Sequence, residues 1–346
     1  MIESKPPANP NLLSRQALAA PQHAGQRFDQ AAAELFSDFS RSQLQQWIRQ
    51  GDLRLDGRIV AKPNHKLAGT ETLSLQVLLQ PHSEDRPEAI ELDILYEDEH
   101  LLMVNKTAGM VVHPGAGNAS GTLVNALLHK FPDLHTLPRA GIVHRLDKLT
   151  SGVLMIARSD AVRLRLIEQM QARQISRSYL ALVWGQAAAR GTIDAPLGRH
   201  PVDRKRMAVL AAENSQAKPA VTHYRVLQNN VAVSLLQVEL DTGRTHQIRV
   251  HMQHIGLPLV GDPVYAPRKP QQRSKPATAA LTAEAYAQLL AFARQALHAR
   301  RLVLQHPVTG ASLAVAAPVP EDLQQLLNSL GFESSSDTEH GARHNA

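Results

Sequence analysis

The chain has 346 residues, 43% of them hydrophobic, no cysteine and a net charge of +6. That length suggests two domains, and that apolar content excludes a chain disordered throughout. The absence of thiols excludes disulfides and thiolate metal sites and is compatible with the cytoplasm, while a pI near 9.7 favours a polyanionic partner.

No run approaches 18 apolar residues, so no membrane span is expected. Met1 to Pro10 is polar and proline-rich and lacks the apolar core of a secretory signal. Residues 1–25, with Pro6, Pro7, Pro10 and Pro21 and no periodicity, read as a disordered leader. Phe28, Ala31, Ala32, Leu35 and Phe36 then recur at helical spacing. Ser40 with Gln43 makes a capping-box pattern ahead of a second helix, whose buried stripe is Leu44, Trp47 and Ile48 and which Gly51 ends. Leu53 and Leu55 alternate with Arg54. Asp56-Gly57 predicts a type I′ turn returning through Arg58-Ile59-Val60, and Leu73, Leu75 and Val77 predict a further strand. Residues 81–90, with two prolines and a charge cluster, read as a linker between a unit at 26–80 and a larger one at 91–332.

In the larger unit, strands are expected at Leu92 to Tyr96, Leu101 to Val104 and Met110 to Val112, followed by a helix from Thr122 to Phe131 and a proline-bearing loop at 132–140. The stretch Gly141-Ile142-Val143-His144-Arg145-Leu146-Asp147-Lys148-Leu149-Thr150-Ser151-Gly152 sets one carboxylate between two cations. Apolar residues lead into it and the run Val153 to Ala157 leads out, a pattern of a loop held by a core. A solvated turn with a local ion pair fits the same residues. A helix from Asp160 and an alternating strand over 175–185, carrying Tyr179, come next, and hairpin-rich sequence runs on to Leu240. In Leu240-Asp241-Thr242-Gly243-Arg244-Thr245-His246-Gln247-Ile248-Arg249-Val250-His251 a strand ends at a glycine turn and a helix begins near Thr245. His246 and Arg249 then share one helix face, Gln247 and His251 another. No carboxylate or third histidine stands at ligand spacing, so no metal site is expected. Residues 268–277 are basic and read either as a flexible loop touching RNA backbone or as a solvated insertion. Leu323 to Leu330 closes as a helix, and 333–346 read as a disordered tail.

The stretch around Asp147 resembles the catalytic motif of the RluA family of pseudouridine synthases, with Asp147 at that family's single essential aspartate. Tyr179 matches its second motif, and Leu240 to His251 its third. The resemblance implies an α+β fold with a mixed, mainly antiparallel central sheet and a cleft across it. It implies that Arg249 pairs with Asp147, that Tyr179 stacks on the extruded base, and that Arg145 fills the space the base leaves. Ile248 would pack on the target base, and His144, Lys148 and His246 complete the substrate-binding set. The unit at 26–80 resembles the S4 RNA-binding module in Arg27-Phe28-Asp29, Ser40-Arg41-Ser42, Trp47-Ile48 and Asp56-Gly57. Its candidate RNA contacts are Arg41, Arg49, Arg54, Arg58, Lys62 and Lys66, although Gln43, Gln45 and Gln46 stand where related synthases often carry cations. A helical cap packed on the main domain is the competing reading of this unit.

Together with His113 to Asn118, Arg139-Ala140-Gly141 and Arg199-His200-Pro201, these features are most similar to the RluD branch. That similarity implies action on 23S rRNA or its large-subunit precursor at the helix-69 stem-loop, supporting ribosome assembly; the composition gives no coiled coil, so a monomer is expected, and the reaction requires no cofactor or metal. A sister branch acting at another 23S site and a non-catalytic RNA-binding assembly factor are the alternatives; a degenerate factor would be expected to lose Asp147, Tyr179 or Arg249. The chemistry fits the residues. Breaking the bond from ribose C1′ to uracil N1 and rejoining through C5 needs a nucleophile or base beside the ribose, which a carboxylate supplies.

Overall fold

The computed structural model describes residues 12–36, 39, 41–78, 86–115, 118–203, 206–266 and 281–333. The N-terminal unit contains β1 (Leu12–Leu18), α1 (Phe28–Leu35), α2 (Arg41–Gln50), β2 (Leu53–Leu55) and β3 (Thr72–Leu78). Its sheet runs β1-β3-β2, antiparallel throughout. The apolar stripes of both helices close over it, with Phe28, Leu44, Ile48, Leu53, Leu73 and Leu75 fully buried.

Two expectations for this unit are corrected. The span read as a disordered leader contains β1, which pairs along its whole length with β3, from Leu12 opposite Leu78 to Leu18 opposite Thr72. The backbone groups at the edge of β3 recruit β1, whose own side chains do not alternate. The turn at Asp56-Gly57 has the two positive φ values of type I′, 48° and 74°. Its return strand is nevertheless absent beyond one bridge from Arg58 to Leu55. Ile59 is exposed, so a strand there would bury nothing, whereas Leu73 and Leu75 give β2 buried cross-strand partners. Ser40 of the expected capping box lies outside the described residues, as do the basic segment at 268–277 and the tail beyond 333.

The larger unit is built on one nine-stranded sheet. Its strands are β4 (Ile94–Glu97), β5 (Leu101–Lys106), β6 (Ser151–Ala157), β7 (Ser176–Trp184), β8 (Arg190–Asp194), β11 (Val221–Asn229), β12 (Val233–Leu240), β13 (Leu297–Gln305) and β14 (Ser312–Ala316). Between β8 and β11 the chain forms a separate two-stranded ribbon, β9 (Leu197–Arg199) with β10 (Met207–Val209). The order is β4-β5-β6-β13-β7-β12-β11-β8, with β14 added beside β13. All described pairings are antiparallel except β6 with β13. The sheet is therefore mixed and mainly antiparallel, as expected.

Both faces of the sheet are covered, which is why β6 is buried at every position. Leu154 and Ile156 face a core shared with α3 (Leu123–Lys130) and α5 (Gln247–His254). Val153 and Met155 face α4 (Asp160–Gln171). Further along, Leu180 and Leu182 pack under α6 (Ala283–Ala291) and α7 (Glu321–Ser329). No described helix is long and apolar enough to cross a membrane. The Met110 to Val112 strand reduces to a bridge between Val111 and Thr122. The linker expectation also needs correction at 86–90. There Asn125 Nδ2 donates to the Arg86 carbonyl at 2.7 Å and the Glu88 carboxylate accepts the Gly121 N–H at 3.1 Å, which ties the segment to the start of α3.

Gly152 permits the single parallel junction: its φ is +111°, and a Cβ there would lie 2.2 Å from the Ala299 carbonyl oxygen. Gly152→Ala is expected to lower stability by at least ~1–3 kcal/mol, the scale of one strained backbone residue, read as a lower urea midpoint. An unchanged midpoint would mean that the junction is not close-packed.

Candidate active site

The approach to Asp147 is a strained turn. Arg139, Ala140 and Gly141 have consecutive φ values of 56°, 49° and 76°, in the left-handed region. Glycine is required at 141, because a Cβ would lie 2.0 Å from the Ala157 carbonyl oxygen. Ile142 then bridges to Ile156, and Leu146 is buried. With Leu146 anchored in the core, Asp147 is left at the surface of the sheet's α5 side, while Arg145 and Lys148 point to solvent. Main-chain bonds fix the loop beyond it. The Thr150 N–H donates to the Asp147 carbonyl and the Gly109 N–H to the Lys148 carbonyl. The Lys106 ammonium, only 1% exposed, donates to the carbonyls of Thr107, Met110 and Lys148 at 2.8, 3.0 and 3.2 Å.

Arg249 comes from α5 to meet Asp147. Its Nη1 donates to Asp147 Oδ2 at 2.9 Å. Its Nε and Nη2 form a fork on Asp262 at 2.7 and 2.9 Å. The Asp262 side chain is fully enclosed, and its Oδ1 also accepts the N–H groups of Val264 and Tyr265. Burial alone would raise the Asp262 pKa; the Arg249 hydrogen bonds and charge, with these backbone donors, outweigh it and hold the carboxyl below its ordinary range. Burial likewise works against the Arg249 charge, but Asp262 and Asp147 reverse it and the guanidinium stays protonated.

His246 stands at the start of α5 with φ 57°. Its Nε2 is 3.9 Å from Asp147 Oδ1, and its Nδ1 is hydrogen-bonded to the Tyr265 hydroxyl at 2.8 Å. Burial lowers the His246 pKa despite the opposing charge of Asp147. The Tyr265 ring lies under the Arg249 guanidinium at 4.9 Å. Around Asp147 opens a cleft of about 870 Å³, lined by Arg145, Lys148, Tyr179, His246, Ile248 and Arg249 among others. Tyr179 is buried in the wall of β7, and burial raises its pKa, so its hydroxyl stays neutral. Ile248 is buried and lines the same cleft.

The chain matches the model of a family described as RNA pseudouridylate synthase over residues 100–254 and that of the S4 domain over 26–73. It is 49% identical over 329 residues to ribosomal large subunit pseudouridine synthase D of Xanthomonas campestris, covering 95% of this chain and 96% of that one. It is 45% identical over 318 residues to the protein of that name from Escherichia coli, covering 90% and 94%. The chain belongs to the RNA pseudouridine synthase family. Within the family it falls in the branch of large-subunit synthase D. In fold it is similar to human RNA pseudouridylate synthase domain containing 4, at a TM-score of 0.54 and 24% identity over 70% of this chain and 95% of that one.

All the residues singled out around the motifs line one cleft, but not all face it in the same way. His144 turns its ring inward. The Met155 N–H donates to its Nε2 at 3.0 Å, and burial, helped by the charge of Arg177, pushes its pKa down to about 3. It is a neutral brace on β6 rather than a charged substrate group. In the S4 unit Arg41 is half spent: its Nε and Nη2 donate to the buried Asp29, which also takes Arg27 and Gln45. Arg54 donates to the Gly51 carbonyl and Lys66 to the Gly25 carbonyl. Arg49, Arg58 and Lys62 are exposed without an ion pair among the described residues. Asp262 and Tyr265 received no role from the sequence, because they belong to a Gly-Asp-Pro turn with no chemical pattern of its own. Lys106 follows the apolar run Leu101 to Val104, and nothing in that pattern announces its burial.

Asp262→Asn is expected to lower kcat by ~10²-fold, the scale of a misplaced catalytic group. It should also cost ~3–5 kcal/mol of stability, because it leaves a buried guanidinium half-paired. Single-turnover kinetics and urea unfolding check both, and wild-type values would show that Asp147 alone positions Arg249.

Lys106 makes a pH-dependent prediction. Burial lowers its pKa to about 7, Arg294 acting in the same sense and Asp147 against it. Between about pH 7 and the ordinary lysine value near 10.4 the unfolded chain holds a proton that the fold does not, so this residue makes stability rise with pH there, by up to ~1.4 kcal/mol per unit. The stability difference between wild type and Lys106→Met should show that rise from pH 7 to 10; a flat difference would mean that Lys106 stays charged.

Proposed function

We propose that the chain isomerises uridines of large-subunit ribosomal RNA to pseudouridine, at the helix-69 stem-loop of 23S rRNA, and so supports large-subunit assembly. The substrate class rests on the names of relatives aligned over nine-tenths or more of the chain. The observation that carries the chemistry is the way Asp147 is held. Arg249 fixes one carboxylate oxygen and is itself held by a two-bond fork on Asp262, while Asp147 Oδ1 makes no hydrogen bond among the described residues and faces the cleft.

A uridine in a folded stem reaches this carboxylate only by leaving its stack, at a cost of a few kcal/mol. Arg145, exposed at the rim and without an ion pair among the described residues, takes the vacated place. Tyr179 stacks on the extruded base, and Ile248 supplies an apolar contact on the same wall. Asp147 acts beside the ribose as nucleophile or base while the bond from C1′ to N1 breaks. The freed uracil turns and C5 bonds to C1′; C5 then loses a proton and N1 gains one. Nothing is oxidised and no group leaves, so the step balances with side chains alone. The free cations of the S4 unit, Arg49, Arg58 and Lys62, with Arg41 and Arg54, bind RNA phosphates outside the cleft.

The test is a map of pseudouridines in 23S rRNA from cells lacking the protein, by carbodiimide modification and primer extension, with add-back of wild type or Asp147→Asn. The helix-69 stops should vanish and return only with wild type, because Asn keeps the shape of Asp147 and removes its charge. Purified Asp147→Asn should bind RNA within a few-fold of wild type. Loss of other stops instead would move the target to another 23S site, and restoration by Asp147→Asn would overturn the catalytic role.

A further inference from the structure

A second cavity, of about 340 Å³, opens between α5 and the β9–β10 ribbon. Val250, Gln253 and His254 line it at a spacing that puts them on one helix face, next to the face carrying His246 and Arg249. Its floor is apolar, from Val209 and the buried Val250, and its rim is cationic or polar, from Arg206, His200 and His254. No acidic residue is among the described residues that line it.

Arg206 is the unusual member. Its guanidinium lies over the Tyr265 ring at 5.3 Å and has no carboxylate within ion-pair distance among the described residues. Its Nε is buried without a hydrogen-bond partner among the described residues. A buried guanidinium donor left unmatched is costly, and most such groups find an acceptor. His200 is oriented as well. Its Nδ1 accepts the N–H groups of Val202 and Asp203, which leaves Nε2 as the nitrogen that carries the proton and donates. An anion with several acceptor oxygens, attached to something flat or apolar, would satisfy this cavity.

We infer that the cavity takes one phosphodiester of the substrate RNA, from a nucleotide beside the target uridine, with its sugar or base on the Val209 and Val250 floor. The inference rests on the RNA substrate proposed above. The two sites share a wall, which argues for the same RNA over a free anion. Tyr265 carries Arg206 and Arg249 on its ring. Its hydroxyl accepts the Met207 N–H at 2.9 Å and is bonded to His246. A phosphate drawn to Arg206 therefore braces the tyrosine against which His246 and Arg249 are set. Arg206 is a binding residue here, and Tyr265 a positioning residue.

The test uses the full-length protein and a stem-loop RNA in which each bridging phosphate in turn is replaced by a neutral methylphosphonate. One replacement should weaken wild-type binding about 10-fold, as expected for one charge-assisted contact. Arg206→Gln should bind the unmodified RNA correspondingly weakly, be indifferent to that same replacement, and show a salt dependence of log K shallower by about one. Arg206→Lys, which keeps the charge, should retain the wild-type salt slope. If Arg206→Gln responds to every replacement as wild type does, or if Gln and Lys weaken binding equally with the slope unchanged, the cavity holds no phosphate and the inference is overturned. These readings are of binding, so absence of wild-type turnover on the unmodified RNA would count against the proposed reaction and not against the cavity.

Discussion

The site depends on one guanidinium held between two carboxylates. Burying Arg249 in a core would be prohibitive without compensation. Asp262 provides the larger part, accepting two forked hydrogen bonds with a side chain that has no exposure of its own. Asp147 adds a third bond and a second opposing charge. Its bond to Nη1 orients it and keeps a cation beside it, while its second oxygen is left for chemistry. The division of labour follows from burial: the enclosed carboxylate stabilises, and the one at the cleft keeps an oxygen open to it. Asp29 shows the same physics in reverse. There a single enclosed carboxylate orients two half-exposed arginines, Arg27 and Arg41, whose outer edges stay available to a phosphate.

The rest of the geometry serves that arrangement by denying the loop freedom. β6 is sealed on both faces, and its first residues pair in parallel with β13 through Gly152, so the end of the Asp147 loop cannot shift along the sheet. Its beginning is set by three successive left-handed residues, two of them not glycine, a conformation that persists only where its surroundings impose it. Gly261, with φ 70° and a Cβ position 2.2 Å from the Arg294 carbonyl oxygen, does the same for the turn carrying Asp262. Catalytic precision here is a consequence of close backbone approach at a few glycines.

What could be read in advance follows from which forces leave a local trace. The alternation of β2, buried at Leu53 and Leu55 and exposed at Arg54, was legible because a sheet with one covered face buries every second residue, whereas β6, covered on both faces, reads as an unbroken apolar run. Asp147, Tyr179 and Arg249 were legible because they sit in motifs, although their meeting across 102 residues was implied by resemblance and not by any spacing. β1 was not legible, since an edge strand recruited by backbone hydrogen bonds needs no apolar period. Nor was the burial of Lys106: three carbonyls converge on its amine, and such convergence has no sequence signature. His144 stood in the motif beside Asp147, yet its ring Nε2 accepts the Met155 N–H of β6, a contact that no spacing in the sequence announces.

The charge balance carries the same lesson further. A net +6 points to a polyanion without saying where it binds. Pairing inside the fold subtracts cations as well as anions: Arg27 and Arg41 go to Asp29, Arg249 to Asp262 and Asp147, Arg294 to Asp322, Arg163 to Asp160. Among the described residues, those left without an ion pair include Arg145 and Lys148, which flank Asp147 in the chain and stand at the cleft's rim. Arg49, Arg58 and Lys62 of the S4 unit and Arg206 beside the second cavity are also without one, so the unpaired positive charge lies on both units. Ion pairing inside the fold therefore decides which cations remain for a polyanion, and the pair beside Asp147 is the cleft's share of them.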